Sequence, residues 1–211
     1  IHGENKYVMR IMNTDKICFF TDTGNLHQIK VSDIPFVKFK DKGTPIDNIS
    51  NYNSTAESVV YVCKASSLGG DKLLFITEKG MAKLVDNGEF DASKKTIGAT
   101  KLSEGDKIFG IYKTDATLLL VESVESNQIL ILQSAKGYVL KFELKEIPVK
   151  KKGAVGVRAM KLENDDVLDD LYLVSSGTDV TLEIGGKTLP VSKIKIEKQN
   201  EFKQVREVNS F

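Results

Sequence analysis

Lysine residues recur in three short loops of a chain whose charges otherwise nearly cancel. The 211 residues include 30 Lys and Arg against 29 Asp and Glu, which gives a formal net charge of +1. Each of the three loops is nevertheless net positive: FVKFKDKG (36–43), DASKKTIG (91–98) and PVKKKGAVG (148–156). Ammonium groups neutralise phosphates and release counterions without reading a base sequence. The loops therefore predict a surface that binds a phosphate-lined polymer.

The candidate binding residues are the basic side chains of these loops and one arginine just beyond them. They are Lys38, Lys40, Lys42, Lys94, Lys95, Lys150, Lys151, Lys152 and Arg158. Asp41 and Asp91 oppose the first two clusters, whereas the third is unopposed within its loop, and acidic residues collect instead in LENDDVLDD (162–170). A single lysine run is usually only a solvated loop. Three runs at equivalent places in a repeat favour a binding surface.

An internal repeat places these loops at equivalent positions. Three turn glycines, spaced 56 and 57 residues apart, are Gly24, Gly80 and Gly137. Ten residues after each comes an apolar residue and then a second glycine: Ile34 and Gly43, Phe90 and Gly98, Ile147 and Gly153. The approximate units are 7–65, 66–122, 123–175 and a last, degenerate or incomplete unit at 176–211, with Gly185 and Gly186 at its turn. Such spacing indicates a repeat architecture.

Short apolar segments around tight glycine turns predict an all-β fold within one domain over 1–211. A unit of this length holds roughly four strands. Because a hairpin pair cannot bury its own faces, neighbouring units must pack against each other. A propeller-like disc of four-stranded blades satisfies this requirement and would join the lysine loops into one basic track. A linear β-solenoid is the alternative, although its units are usually far shorter.

Other chemistry finds little support in the sequence. His2 and His27 are the only histidines, and neither lies at a spacing typical of metal ligands. We interpret His27, on a strand, as an exposed or interface residue. No P-loop and no set of nucleophile, base and orienting group is present, so we expect no catalytic residue, metal or cofactor in this part of the protein.

Composition limits the setting in which the chain works. The sequence has no apolar run long enough to span a bilayer and no secretory signal at its start, so we expect a cytoplasmic, nucleoid-associated location. Cys18 and Cys63 both lie in apolar runs and are interpreted as buried, reduced thiols, with a disulfide as the alternative. The chain begins at Ile1 and is interpreted as a fragment of a longer protein.

The repeat resembles the C-terminal domain of the A subunit of bacterial type IIA topoisomerases, DNA gyrase and topoisomerase IV. The resemblance covers roughly residues 7 to 175 and is carried by both halves of each unit. The matching segments are ICFFTDTGNLHQIKVSDIP (17–35) with KGTPIDNIS (42–50), LLFITEKGMAKL (73–84) with IGATKLSEGDKIFGI (97–111), and ILILQSAKGYVLKFELKEIP (129–148) with GAVGVRAMKL (153–162).

This resemblance implies a β-pinwheel, a disc of four-stranded blades that exchange a strand with their neighbours. It also implies that the outer edge binds and bends duplex DNA, largely independently of sequence, and presents a segment to a catalytic core formed elsewhere. The implied partners are double-stranded DNA and the remainder of the A subunit. Through the A subunit the domain would also be linked to the ATPase B subunit. The parent protein would be an ATP-dependent topoisomerase, whereas this part would be non-catalytic.

Topoisomerase IV is favoured over gyrase. The grounds are the low net charge and the degenerate fourth unit. The string Gln-Arg-Arg-Gly-Gly-Lys-Gly, which gyrase carries in its first blade, is not present in this sequence, but its absence decides little. GTPIDNIS resembles the end of the family's second blade, so this string, the basic glycine-rich box of gyrase, would precede this chain. The competing functional class is a propeller that docks partner proteins, for which aromatic and apolar hot spots on one face are more typical.

Overall fold

The computed structural model describes residues 7–114, 128–177, 180–184, 186–196 and 206–207. The strands are β1 (Lys16–Thr21), β2 (Asn25–Lys30), β3 (Val59–Lys64), β4 (Lys72–Thr77), β5 (Met81–Asp86), β6 (Thr96–Gly98), β7 (Ile108–Thr114), β8 (Gln128–Ser134), β9 (Tyr138–Glu143), β10 (Val157–Arg158), β11 (Leu168–Ser175), β12 (Thr181–Ile184), β13 (Lys187–Pro190) and β14 (Arg206–Glu207). The helical segments among the described residues are short 3₁₀ turns: Val31–Asp33, Ile46–Asn48, Ala65–Ser67, Asn87–Phe90, Leu144–Glu146 and Val191–Lys193.

Three antiparallel sheets of four strands follow one another along the chain. Their strand orders are β3-β1-β2-β6, β10-β5-β4-β7 and β11-β8-β9-β14, and β12 pairs with β13 in a further two-stranded sheet. One edge strand of each large sheet, β6, β10 or β14, comes from the stretch of chain that follows the next hairpin. The predicted all-β fold of four-stranded blades that exchange a strand is confirmed.

Backbone conformation favours glycine at all three hairpin turns, and close packing requires it at the first two. All three have the positive φ that disfavours a side chain: Gly24 (86°), Gly80 (77°) and Gly137 (84°). The carbonyl of Gly80 accepts hydrogen bonds from the backbone N–H groups of Ala159 (2.8 Å) and Met160 (3.1 Å), just beyond β10. A Cβ on Gly80 would lie 2.5 Å from the Met160 carbonyl oxygen. The carbonyl of Gly24 accepts a hydrogen bond from the backbone N–H of Ala99 in the same way. The first two hairpin turns thus bind the segment of chain that follows the exchanged strand.

The core lies between successive sheets and not within one. In β4, Leu73 and Phe75 pack toward the first sheet, whereas Leu74 and Ile76 pack toward the third. All four side chains are at most 2% exposed. A strand that is buried on both faces needs a neighbour on each side, because neither face is stable in water. This double burial explains why the units stack.

The two cysteines face each other across the first sheet. Cys18 of β1 and Cys63 of β3 are register partners, and both are buried and free. The interpretation as buried thiols agrees with this arrangement. Among the described residues, no helix is long and apolar enough to cross a membrane. His2 and Gly185 lie outside the described residues.

Candidate nucleic-acid interface

The backbone of the third lysine loop (148–156) is hydrogen-bonded to a buried lysine of the second sheet. Lys83 of β5 is 2% exposed, and its Nζ donates hydrogen bonds to the backbone carbonyls of Lys151 (3.1 Å), Lys152 (2.8 Å) and Ala154 (2.7 Å). Burial lowers the pKa of Lys83 to about 8. Because these carbonyls converge on one buried amine, the loop backbone is drawn toward the sheet. The side chain of Lys151 remains 87% exposed.

Backbone hydrogen bonds fix both ends of the same loop. Leu84 of β5 donates to the carbonyl of Pro148 (3.1 Å) and accepts from the N–H of Lys150 (2.8 Å). At the other end, β10 pairs with β5, and Arg158 lies opposite Met81. Arg158 is exposed at this edge. The loop is therefore a structured feature of the second sheet, although it belongs to the third unit in the sequence.

The lysines of this loop are not unopposed in three dimensions. Glu89, from the preceding unit, lies 3.3 Å from Lys151 Nζ through Oε1 and accepts a 2.7 Å hydrogen bond from the Lys152 N–H through Oε2. That backbone hydrogen bond, with the nearby ammonium groups, holds the pKa of Glu89 below its ordinary range. Lys152 Nζ also donates to the Glu89 carbonyl (2.6 Å). Lys150 and Lys151 are thus better placed than Lys152 to reach a ligand.

The second loop (91–98) lies on the first sheet in a similar way. The side-chain amide of Gln28 in β2 donates to the carbonyls of Ala92 and Lys94, each over 3.2 Å. The Gln28 backbone N–H donates to the carbonyl of Lys95 over 2.8 Å. Lys94 and Lys95 are both exposed. The loop backbone is again held inward while its two lysine side chains project outward.

His27 occupies the place in unit one that Lys83 occupies in unit two. Interpreted from the sequence as an exposed or interface residue, it is in fact buried, at 2% exposure, where β2 meets the exchanged strand β6. His27 Nδ1 lies 3.0 Å from Thr96 Oγ1, and its Nε2 lies 2.8 Å from Glu57 Oε1. The expectation of exposure was wrong because a polar residue on a strand gives no sign that later residues will cover it.

Glu57 completes this buried network. Its Oε2 accepts hydrogen bonds from the hydroxyls of Thr21 (2.7 Å) and Thr23 (2.9 Å) and from the amide of Asn25 (3.2 Å). Burial alone would raise the pKa of Glu57, but these hydrogen bonds and His27 outweigh it and lower the pKa to about 2. The carboxylate therefore joins the first hairpin to the segment that precedes β3.

The first loop (36–43) follows the 3₁₀ turn Val31–Asp33 and contains no strand. Its three lysines, Lys38, Lys40 and Lys42, are exposed. The N–H of Lys38 donates to Asp41 Oδ2 and the N–H of Asp41 to the carbonyl of Lys38, each over 2.9 Å, so a tight turn forms there. Phe36 and Phe39 are fully exposed, at 107% and 104%. This loop thus presents both cations and aromatic rings to solvent.

Eight of the nine predicted residues lie on three separate loops, the ninth, Arg158, lies on β10, and the nine do not share one pocket. Two further lysines, Lys16 and Lys30, are brought beside Lys94 and Lys95 at a cavity of about 200 Å³. Sequence reasoning missed these two because it considered only runs of lysine. Their symmetric placement around the first glycine turn was the signal that could have found them, since it makes them cross-strand partners. Among the described residues, no group of three or more His, Cys, Asp or Glu could hold a metal ion.

Comparison with known proteins agrees with this architecture. The family described as DNA gyrase C-terminal domain, beta-propeller, matches residues 15–62, 71–115 and 128–175, one segment in each unit. The A subunit of DNA gyrase from Lawsonia intracellularis is 28% identical over 169 residues, which cover 78% of this chain and 19% of that protein. The A subunit of DNA topoisomerase 4 from Streptococcus pneumoniae is 26% identical over 187 residues, covering 88% and 22% respectively.

A solved structure has the same fold. The crystal structure of the C-terminal domain of DNA topoisomerase IV superposes with a TM-score of 0.74 at 20% identity, covering 92% of this chain and 62% of that one. The chain spans about a fifth of the length of the curated relatives it matches. The fold and its repeated basic loops define a β-pinwheel domain.

The family match covers more than half of the chain. The chain accordingly belongs to the DNA gyrase C-terminal domain family, whose relatives are A subunits of gyrase and of topoisomerase IV.

Proposed function

We propose that this chain binds and bends duplex DNA, as the non-catalytic C-terminal domain of the A subunit of a bacterial type IIA topoisomerase. The observation that carries the proposal is the construction of the second and third loops. Each has its backbone fixed to a sheet by a buried side chain, Gln28 or Lys83, while Lys94 and Lys95 in one loop and Lys151 in the other are exposed. Such loops present cations at fixed places, which suits contacts to phosphates.

Repeated basic loops on successive sheets fit a curved polyanion better than a compact ligand. In a radial array the loops of the three units would follow one another along the edge. DNA that contacts them in turn must bend, and the cost of bending is offset by additional phosphate contacts. We therefore assign binding to Lys38, Lys40, Lys42, Lys94, Lys95, Lys150, Lys151, Lys152 and Arg158.

The partners of the parent protein follow from this role. The domain would present a bent DNA segment to the remainder of the A subunit, which would in turn work with the ATPase B subunit. Strand cleavage and ATP hydrolysis would take place outside this chain, which would need no cofactor of its own. Topoisomerase IV is the favoured parent because the net charge is only +1 and the fourth repeat unit is degenerate.

A DNA-bending measurement tests the proposal. A linear duplex that carries fluorophores at its two ends should show increased energy transfer when the chain binds, and duplexes of unrelated sequence should behave alike. Ligation of a nicked circle in the presence of the chain separates the two parents. Bending without chiral wrapping leaves the linking number unchanged, as expected for the topoisomerase IV assignment, whereas a change would favour gyrase.

A protein-docking propeller is the second candidate, and one observation favours it. Phe36 and Phe39 expose whole aromatic rings, which is typical of hot spots in protein interfaces. Phe36→Ser and Phe39→Ser distinguish the two functions. The DNA role is supported if the two Phe→Ser variants bind duplex with wild-type affinity, whereas replacement of the loop lysines abolishes duplex binding. A chain that fails to bind duplex at low salt would favour docking of a protein.

A further inference from the structure

Four lysines converge on one cavity at the open end of the first hairpin. The cavity, of about 200 Å³, lies where β1 begins and β2 ends, against the second loop, and Lys16, Lys30, Lys94 and Lys95 line it together with Asp33. We call it the hairpin pocket. Roughly 30 Å³ of liquid volume belongs to one water molecule. The pocket therefore has room for a small anion with part of its hydration shell.

The charges of the hairpin pocket are unusual for the fold. Lys16 and Lys30 lie directly opposite each other across β1 and β2. At the equivalent place in the second sheet Lys72 lies opposite Asp86, and their side chains form an ion pair of 3.7 Å. Opposite charges across two strands are stabilising, whereas like charges are destabilising. The first hairpin thus carries a repulsion that the second hairpin avoids.

Within the protein this repulsion is poorly compensated. In the described part of the chain, lysine ion pairs are formed by other residues, namely Lys72, Lys107, Lys113, Lys136, Lys145 and Lys151. Asp33 is the one carboxylate among the described residues that line the pocket, and it is exposed. Four positive charges against one negative charge leave an electropositive cavity.

The pocket is also preorganised. Lys16 Nζ donates to the carbonyl of Ala92 over 3.2 Å, which leaves its other two N–H groups available. Gln28, which is 6% exposed and lines the pocket, fixes the loop that carries Lys94 and Lys95. The Lys16 ammonium and the loop backbone that carries Lys94 and Lys95 are therefore held in place before any ligand binds. Preorganisation lowers the cost of binding because less ordering is needed afterwards.

We propose that the hairpin pocket binds a phosphate group. Each ammonium supplies up to three hydrogen-bond donors and a full positive charge, and a tetrahedral phosphate oxyanion can accept from several of them at once. Resting on the proposed function, the source is a backbone phosphate of the bound duplex, and the pocket adds Lys16 and Lys30 to the interface. Inorganic phosphate is the alternative source with the same chemistry.

The variant Lys30→Asp tests this assignment because it recreates the lysine–aspartate pair of the second sheet. It should raise the midpoint of thermal unfolding, or leave it unchanged, while it weakens duplex binding. The slope of log affinity against log salt should fall by about 0.9 for each phosphate that the variant no longer neutralises. Lys101→Asp is the matched control, since Lys101 is exposed, lies outside the pocket and undergoes the same change of charge.

A second arm identifies the source of the phosphate. Amide NMR spectra of the 211-residue chain are recorded with added sodium phosphate or with sodium chloride at equal ionic strength. Phosphate-specific shifts around Lys16, Lys30 and Lys95 that vanish in Lys30→Asp support phosphate binding in the pocket. If these shifts occur while Lys30→Asp leaves duplex affinity unchanged, the source of the phosphate is free inorganic phosphate.

The outcomes also separate this proposal from the proposed function. If wild-type chain binds duplex, Lys30→Asp behaves as Lys101→Asp does, and phosphate causes no specific shifts, the hairpin pocket is overturned and DNA binding stands. If wild-type chain does not bind duplex, the proposed function fails, and the phosphate arm alone decides the pocket.

Discussion

The Nζ of Lys83 lies 2.7 Å from the carbonyl oxygen of Ala154, 71 residues further along the chain. The lysine belongs to the second hairpin, whereas the carbonyl belongs to the lysine loop of the third unit. This hydrogen bond and its two companions tie the exchange of strands between sheets to the presentation of the basic loop. The strand exchange and the position of the basic loop therefore depend on the same contacts.

Replacement of Lys83 by methionine should loosen the third loop. Three backbone carbonyls are deprived of a buried donor, and an unsatisfied buried polar group costs about 1–3 kcal/mol. We expect lower stability in chemical unfolding and faster amide exchange in residues 148–156. The exposed Lys79 provides a control, because Lys79→Met removes the same charge outside this loop. Equal exchange rates in Lys83→Met and wild type would contradict the anchoring role.

The same lysine should give stability an alkaline pH dependence. Its pKa is lowered from 10.5 to about 8 in the folded chain. Between these two values the unfolded state binds more protons than the folded state, so the contribution of Lys83 to stability rises with pH. The free energy of unfolding of wild type, minus that of Lys83→Met, should increase from about pH 8 to pH 10.5. A flat difference across this window would show that Lys83 titrates normally.

Glu57 should give stability an acidic pH dependence of its own. Its folded pKa of about 2 lies below the unfolded value of 4.5, so its contribution is complete above pH 4.5 and is lost as the pH falls toward 2. Glu57→Gln should cost about 1–3 kcal/mol at neutral pH. The difference from wild type should shrink between pH 4.5 and 2. Glu104→Gln, at an exposed position, should leave the acid profile unchanged.

Gly80 offers a test of the contact between a hairpin turn and the exchanged strand. An alanine there meets both a positive φ of 77° and a carbonyl oxygen 2.5 Å from its Cβ. The backbone conformation alone costs roughly 1–2 kcal/mol. Gly70→Ala is the control, because Gly70 has a φ of 73° and no described atom within 4 Å of an added Cβ. Gly80→Ala should be clearly the more destabilising of the two in urea unfolding, and equal losses would argue against a tight contact.

The sequence predicts the elements of this fold better than their connections. Gly24, Gly80 and Gly137 were identifiable because a turn with positive φ leaves a constant mark in each repeat. The exchanged strands β6 and β10 are only three and two residues long, too short for a period of two to be recognised. Their acceptor strands lie far earlier in the chain, and the strand exchange was expected only through the family resemblance.

The candidate site was likewise only partly predictable. Runs of lysine can be recognised directly in the sequence, and Lys94 and Lys151 are exposed as expected. The buried state of Lys83 is not visible, because it depends on carbonyls that the chain supplies some 70 residues later. The pairing of Lys16 with Lys30 could be read from their symmetric placement around the first turn, but their position beside Lys94 and Lys95, like the contact of Glu89 with Lys151, requires the packing of two units.

Equilibrium binding of the chain to linear duplexes of unrelated sequence, across a series of salt concentrations, tests the central claim most directly. The informative variant is Lys150→Ala with Lys151→Ala, which spares Lys152 and its hydrogen bonds to Glu89. Its control is Lys101→Ala with Lys161→Ala, two exposed lysines outside the loops.

We predict binding by wild type that is indifferent to sequence and steeply salt-dependent. The salt slope of the loop variant should be smaller by about 0.9 for each phosphate that it no longer neutralises, whereas the control should keep the wild-type slope. Wild-type chain that does not bind duplex at low salt, or a loop variant with the affinity and slope of the control, would contradict the proposed DNA-binding role.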